Sequence, residues 1–207
     1  TTRRSMGFCL LNNIAVTARA LADLGERVLI ADIDAHHGNG TQEVFYDDPR
    51  VLFVSWHQWP LYPGSGALDE TGVGPGEGTT MNVPLPPGAT GDHYRDLIER
   101  GLAPAVERFA PTWLLVSAGF DAHRDDPLTS MGLTSGDFAD VLSDLVELAP
   151  VPVVAFLEGG YDLDAVALAG AATIGVLAGE QLHPERPTAG GPGAVVVDRV
   201  VDRHRLR

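Results

Sequence analysis

Lysine is missing from this 207-residue chain, and all 14 of its Lys and Arg residues are arginine. That usage points to a GC-rich bacterial coding sequence and says nothing about chemistry. Positive charge is scarce in general: 14 basic residues face 28 acidic ones, for a formal charge of −14. Phosphates would be repelled by such a surface, so a nucleic-acid partner is excluded, while cationic ligands are drawn weakly and at long range. There is one cysteine, Cys9, which rules out an internal disulfide and a thiolate metal cluster. Following Phe8 at the start of an apolar pattern, it is expected to be a buried thiol. Long hydrophobic runs are absent too. The longest, 165–179, is too short to cross a bilayer and rich in Ala and Gly, so it reads as a packed helix, not a membrane span. No basic-apolar-small leader opens the chain, and a soluble cytoplasmic protein is expected.

What remains is an alternation of strand and helix patterns in a length suited to a single domain over 1–207. Asn12 or Asn13 is positioned to cap a helix that runs to about Leu24 and stops at Gly25. β-Branched runs at 28–32, 51–57, 80–84, 113–117 and 151–157 read as strands. Helical patterns fall at 41–46, 92–109, 135–148 and 163–177, with a strand or helix from Ala194. The intervening 58–78 is rich in Gly and Pro, and a loop of that length inside a domain usually carries function. The expected fold is α/β: a mostly parallel sheet covered by helices on both faces, in three α/β/α layers.

Ligands of open α/β sheets bind beyond the carboxyl ends of the strands. Here four strands deliver polar groups to that end: Asp34 and His36 after the first, Ser55 and His57 from the second, Asp121 and His123 after Ser117-Ala118-Gly119-Phe120, and Glu158-Gly159-Gly160-Tyr161 after the last. The densest of these is Asp32-Ile33-Asp34-Ala35-His36-His37-Gly38-Asn39-Gly40. Strand alternation sends Asp32, Asp34 and His36 to one side and Ile33 and Ala35 to the other. Carboxylates crowded at a strand exit are costly without a cation. Asp34, His36 and Asp121 make a three-ligand set with an open position, as in catalytic zinc sites. Asp32 then orients a neighbouring histidine or binds a monovalent ion, and His37, facing away, packs or hydrogen-bonds behind the ligands. Gly38 and Gly40 are expected to let the chain turn. His93, His183 and His204 read as surface residues.

Gly7-Phe8-Cys9, the Asp-x-Asp-x-His-His-Gly-Asn-Gly run, Tyr62-Pro63-Gly64-Ser65-Gly66, Ser117-Ala118-Gly119-Phe120-Asp121 and Glu158-Gly159-Gly160-Tyr161 together resemble the histone deacetylase superfamily. That group includes acetylpolyamine amidohydrolases and has the arginase-like fold. Asn39 and Glu158 look closer to its class II and bacterial branch. The resemblance implies zinc on Asp34, His36 and Asp121, a zinc-bound water attacking an acetamide, and Tyr161 stabilising the oxyanion. It implies an acyl-lysine tunnel lined by Gly7, Phe8, Tyr62, Leu128, Gly159 and Gly160, with Asp32, His37 and Asn39 supporting the ligands. Potassium-type sites would use Asp32, Asp34, His36, Ser55 and Trp56, and separately Phe45, Asp48 and Val51. Leu128, standing where a rim carboxylate would favour polyamines, tilts the substrate toward acetyl-lysine over acetylated polyamines or other small amines.

One family element is not here. The histidine pair that serves as general base precedes the Gly-Phe-Cys segment, and this chain begins with Thr1-Thr2-Arg3-Arg4-Ser5-Met6. The chain is therefore expected to be the C-terminal two-thirds of a deacetylase domain, nearly inactive alone and with one sheet edge uncovered. Two alternatives accompany this reading. One is a metal-dependent acyl-lysine recognition module without turnover. The other is a di-manganese ureohydrolase using Asp121 and His123, disfavoured because Gly38 stands where that chemistry needs a carboxylate.

Overall fold

The computed structural model describes residues 1–205. Five short apolar segments build one sheet: β1 (Val28–Asp32), β2 (Val51–Gln58), β3 (Thr80–Leu85), β4 (Trp113–Ala118) and β5 (Val153–Leu157). All pairings are parallel, in the order β3-β2-β1-β4-β5. β1, β2 and almost all of β3 and β4 are buried, which explains why their sequences read as continuous apolar runs with no polar alternation. β5 begins two residues later than expected because Pro152 cannot donate to a ladder.

Helices cover both faces. Val28 and Ile30 of β1, with Val51, Phe53 and Leu115, pack under α1 (Asn13–Asp23) and α2 (Asn39–Phe45). Leu29 and Ala31 point the other way, joining Leu52, Val54, Trp56 and Val116 beneath α3 (Gly91–Leu97), α4 (Ala103–Phe109), α5 (Ser135–Leu148), α6 (Leu163–Leu177) and α7 (Ala194–Arg205). The result is the three-layer α/β/α arrangement. Asn12 caps α1 by accepting the Ala15 N–H at 2.9 Å, and Asp162 caps α6 through Ala165 N–H at 2.8 Å. The helix expected over 92–109 is broken into α3 and α4 by a π-helical turn over Ile98–Leu102. Pro104 lacks the N–H that would continue the α ladder there. No described helix is long and apolar enough to cross a membrane.

Parallel register lines up polar side chains at one end of the sheet. Asp32 stands beside Ser55 of β2 and Ser117 of β4, and Ser55 beside Asn82 of β3. One polar row therefore crosses four strands. β3 is an edge strand sheltered by α7. β5 has no partner on its outer side among the described residues. Leu157 at its end is exposed, as are Leu163 and Ile174 of α6.

Three side chains sit otherwise than expected. Cys9 is exposed, because the helix begins only at Asn13 and Cys9 lies in the turn before it. His93 is buried, with its Nε2 donating to the Gly191 carbonyl at 2.7 Å. His204 is also buried, on the inner face of α7. Gly191 beside His93 and Arg108 beside His204 lie far along the chain from them, which hides both burials from local pattern.

Burial, with Arg203 and Arg108 adding repulsion, pulls the His204 pKa from 6.5 to about 4. The unfolded chain thus takes this proton first as pH falls. The stability contributed by neutral His204 is present above the unfolded value and lost on descending toward the folded one. His204→Leu should therefore lose less urea stability between about pH 7 and about pH 5 than the parent does, by up to about 2 kcal/mol. Parallel acid limbs for the two proteins would contradict this.

Candidate metal centre

β1 stops at Asp32, so strand alternation does not carry Asp34 and His36 to its face. Carboxylates shape the chain instead. Asp32 Oδ1 accepts the Asp34 N–H at 3.3 Å, and Asp34 Oδ1 accepts the His36 N–H at 2.7 Å. Each aspartate thus folds the backbone two residues ahead of it, an Asx-type turn repeated in series. Asp121 Oδ1 takes the Ala35 N–H between them at 2.8 Å. Asp32 Oδ2 takes the Gly38 N–H at 3.1 Å. Asp32 therefore holds the backbone of the turn and not a histidine ring, which corrects that expectation. Gly38 also serves differently from the expected hinge. Its φ is −71°, open to any residue, but a Cβ there would lie 2.5 Å from Asp32 Oδ2. It is needed for space. Gly40 lies inside α2.

The turn brings His36 Nδ1 to 2.8 Å from Asp121 Oδ2 and 3.2 Å from Asp34 Oδ1. One ligand atom from each of Asp34, His36 and Asp121 lies within 4.8 Å of the other two. Two glycines make this crowding possible. A Cβ on Gly119 would run into the Asp34 carboxylate, and one on Gly159 would run into both the Asp121 and Asp34 carboxylates. Gly159 in addition donates its N–H to Asp34 Oδ2 at 3.2 Å.

Negative charge is in excess here. Burial, then the charges of Asp34 and Glu158, push Asp32 well above the carboxylate range. Burial and Asp34 likewise raise Asp121, against the pull of His36. Glu158 is raised to about 7 by the surrounding protein and by Asp34, although Ser117 donates to it at 3.0 Å. Desolvation opposes charge on His36, but hydrogen bonds and attraction from Asp121 and Asp34 outweigh it and lift the ring to about 10. With carboxylates forced toward their neutral form and an imidazole drawn into its charged form, the cluster is one that a cation would relieve. Two carboxylate oxygens and an imidazole nitrogen are donors suited to zinc, and three such ligands leave a position free. The residues fit the metal that the sequence implied.

Around this cluster stand the rim residues. The Phe8 and Tyr161 rings meet edge to face at 6.2 Å between centroids, and Tyr62 lies at 6.4 Å from His36. The Gly7 N–H donates to Tyr62 Oη at 3.3 Å. Burial, then Asp121 and Asp34, raise the Tyr161 phenol, which keeps it protonated. Asp126, which no sequence motif singles out, accepts the Tyr161 N–H at 2.7 Å and the Leu128 N–H at 2.9 Å. It ties two rim residues together, and its only sequence signal is an Asp just before a Pro-Leu turn.

Other candidates fall elsewhere. His37 turns from the cluster to Ser65 and Gln42, and Asn39 reaches the Met6 sulfur at 3.5 Å. Ser55 and Trp56 are buried in β2. Phe45, Asp48 and Val51 form a turn in which the Phe45 and Asp48 carbonyls already accept N–H groups. The Asp48 carboxylate is engaged by Arg19 and Arg50, which hold it down at about 2. His123 does not join the metal cluster. Its Nε2 pairs at 2.8 Å with Glu185, which also accepts from Ser135 and Arg124 and so pins the segment before α7 onto the start of α5. A two-metal site built on Asp121 and His123 therefore finds no support.

Comparison with known proteins agrees with the geometry. Residues 1–177 match the family described as histone deacetylase domain. A probable deacetylase of Archaeoglobus fulgidus is 48% identical over 163 residues, covering 76% of this chain and 45% of that protein. Histone deacetylase 10, chloroplastic, of Oryza sativa subsp. japonica is 46% identical over 182 residues, covering 84% and 41%. The crystal structure of the HDA15 HD domain superposes with a TM-score of 0.87 at 37% identity, covering 98% of this chain and 57% of that one. The chain belongs to the histone deacetylase family, and it spans less than half the length of these two curated relatives.

If the cluster is the metal site, Asp34→Ala and Asp121→Ala should each abolish retention of zinc through dialysis, while Asp32→Ala should only weaken it, by about 10–100-fold in affinity. Elemental analysis reads this directly. Full zinc retention by Asp121→Ala would show that the metal, if any, lies elsewhere.

Proposed function

We propose that this chain carries the metal centre of a zinc-dependent deacetylase that hydrolyses an acetamide on lysine or a small amine. The single observation behind this reading is the convergence of Asp34, His36 and Asp121, with ligand atoms within 4.8 Å of one another, at the carboxyl edge of a parallel sheet. Zinc held by these three residues supplies Lewis acidity for a carbonyl and for water.

The protein's own groups do the rest. Asp32 and Asp121 fix the backbone of the 34–38 turn, so the ligands are set before any ion arrives. Tyr161, a protonated phenol anchored through its N–H to Asp126, donates to the oxygen on which negative charge develops. Gly7, Phe8, Tyr62, Leu128, Gly159 and Gly160 wall a passage for the acyl chain. Leu128 offers no carboxylate to a second amine, which favours acetyl-lysine over polyamines. Potassium at Asp32, Asp34, His36, Ser55 and Trp56 would draw on the polar end of β1, where Ser55 stands beside Asp32. At Phe45, Asp48 and Val51 a potassium ion would have to share backbone oxygens, since arginines occupy the Asp48 carboxylate.

Proton transfer needs a base, and the imidazoles here are committed: His36 to the cluster, His37 and His57 to the 65–66 loop, His123 to Glu185. That favours a base contributed by residues that flank this sequence, and slow turnover without them. It also sustains a second reading, an acyl-lysine binding module with the same metal and passage. Turnover separates the two.

Tyr161→Phe, made in the protein together with its natural flanking residues, should lower kcat by roughly 10²–10³-fold with zinc content unchanged. A loss smaller than about threefold would reduce Tyr161 to a packing residue.

A further inference from the structure

Behind the metal turn lies a half-buried polar circuit that takes no part in holding zinc or stabilising the oxyanion. Asn82, fully buried in β3, donates through Nδ2 to the Glu70 carbonyl at 3.2 Å and to Gln42 Oε1 at 2.7 Å. A backbone carbonyl only accepts, so the Asn82 atom is its NH₂ and the Gln42 atom facing it is an oxygen. The Gln42 nitrogen is then the atom 2.5 Å from Glu70 Oε2. Its oxygen, 2.9 Å from His37 Nε2, makes that ring nitrogen a donor. With Nε2 as the donor of a neutral imidazole, Nδ1 is the acceptor, and the Ser65 hydroxyl, 2.9 Å away, donates to it. The Gly66 N–H closes the ring on Glu70 Oε2 at 3.2 Å.

Every member therefore has one allowed orientation, set from Asn82 outward. A second histidine backs the first. The His57 ring lies tilted against His37 at 4.8 Å between centroids and donates Nε2–H to the Gly66 carbonyl at 2.9 Å. Gly66 fits closely against the pair: a Cβ there would lie 2.6 Å from both rings. The loop so held begins with Tyr62, whose ring faces His36 and whose Oη receives the Gly7 N–H.

We propose that His37 is a positioning residue: through the closed Ser65–His37–Gln42–Glu70 circuit it fixes the 62–66 loop, and with it Tyr62, against the turn that carries the metal ligands. The inference rests on the deacetylase reading for its consequence, which is control of how tightly an acyl chain is gripped more than of how fast it is cleaved. The circuit itself stands on geometry. Ser65 and Gln42 are the handles, since neither touches the ligands or the passage.

In the zinc-loaded protein with its natural flanking residues, Ser65→Ala should raise KM for an acetyl-lysine peptide about five- to tenfold, the worth of one buried hydrogen bond, with kcat within about twofold. Zinc content should stay unchanged. Ser65→Thr, which keeps the hydroxyl, should restore KM. Amide hydrogen exchange over 61–67 should accelerate in Ser65→Ala and in Gln42→Met, and not in Ser65→Thr. Unchanged exchange in both Ser65→Ala and Gln42→Met would overturn the circuit. Accelerated exchange with unchanged KM, or an equal loss in kcat, would overturn its role in substrate grip. If the parent hydrolyses no acetamide, the deacetylase reading and the role in grip fail together, while exchange still decides the clamp.

Discussion

The structure turns on crowded negative charge at the mouth of a parallel sheet. Asp32, Asp34, Asp121 and Glu158 converge where three strands, β1, β4 and β5, end, and a single histidine sits among them. Coulomb repulsion in a partly desolvated space is large enough to shift pKa values by several units. A fold that keeps such a group together has to cancel that repulsion. Backbone N–H groups do part of the work: those of Asp34, Ala35, His36, Gly38 and Gly159 all point at these carboxylates. The acidic excess that remains is what a cation would cancel.

The same constraint reaches outward. Gly119 and Gly159 are fixed as glycine because the carboxylates occupy the space of a side chain. The parallel register puts Ser55 and Ser117 beside Asp32, so the polar row at the strand ends is built before any loop is placed. The long loop after β2 then packs onto the back of the turn through His37 and His57, and brings Tyr62 to the rim. Site and scaffold are thus one hydrogen-bonded unit, with the buried apolar strands supplying rigidity beneath.

Much of this was legible in the sequence for definite reasons. Apolar runs of strand length fixed β1 to β4 closely, since buried parallel strands have a plain signature. The carboxyl-end rule then gathered Asp34, His36 and Asp121 although Asp121 lies far along the chain from the other two. Harder to see was how Asp34 and His36 arrive. Alternation pointed to the right residues for the wrong reason, because Asx turns and not a continued strand shape that segment. The burial of His93 and His204 depends on distant neighbours. So do the roles of Gln42, Ser65, Glu70, Asn82 and Asp126, ordinary polar residues until their partners are known.

The central claim, one zinc ion on two carboxylates and one imidazole, is tested most directly by zinc-edge X-ray absorption on the purified protein. Such a site predicts a first shell of oxygen and nitrogen at about 2.0–2.2 Å, with the outer-shell scattering of one imidazole and no sulfur. A sulfur distance near about 2.3 Å, or a second metal at about 3.5–4 Å, would contradict it.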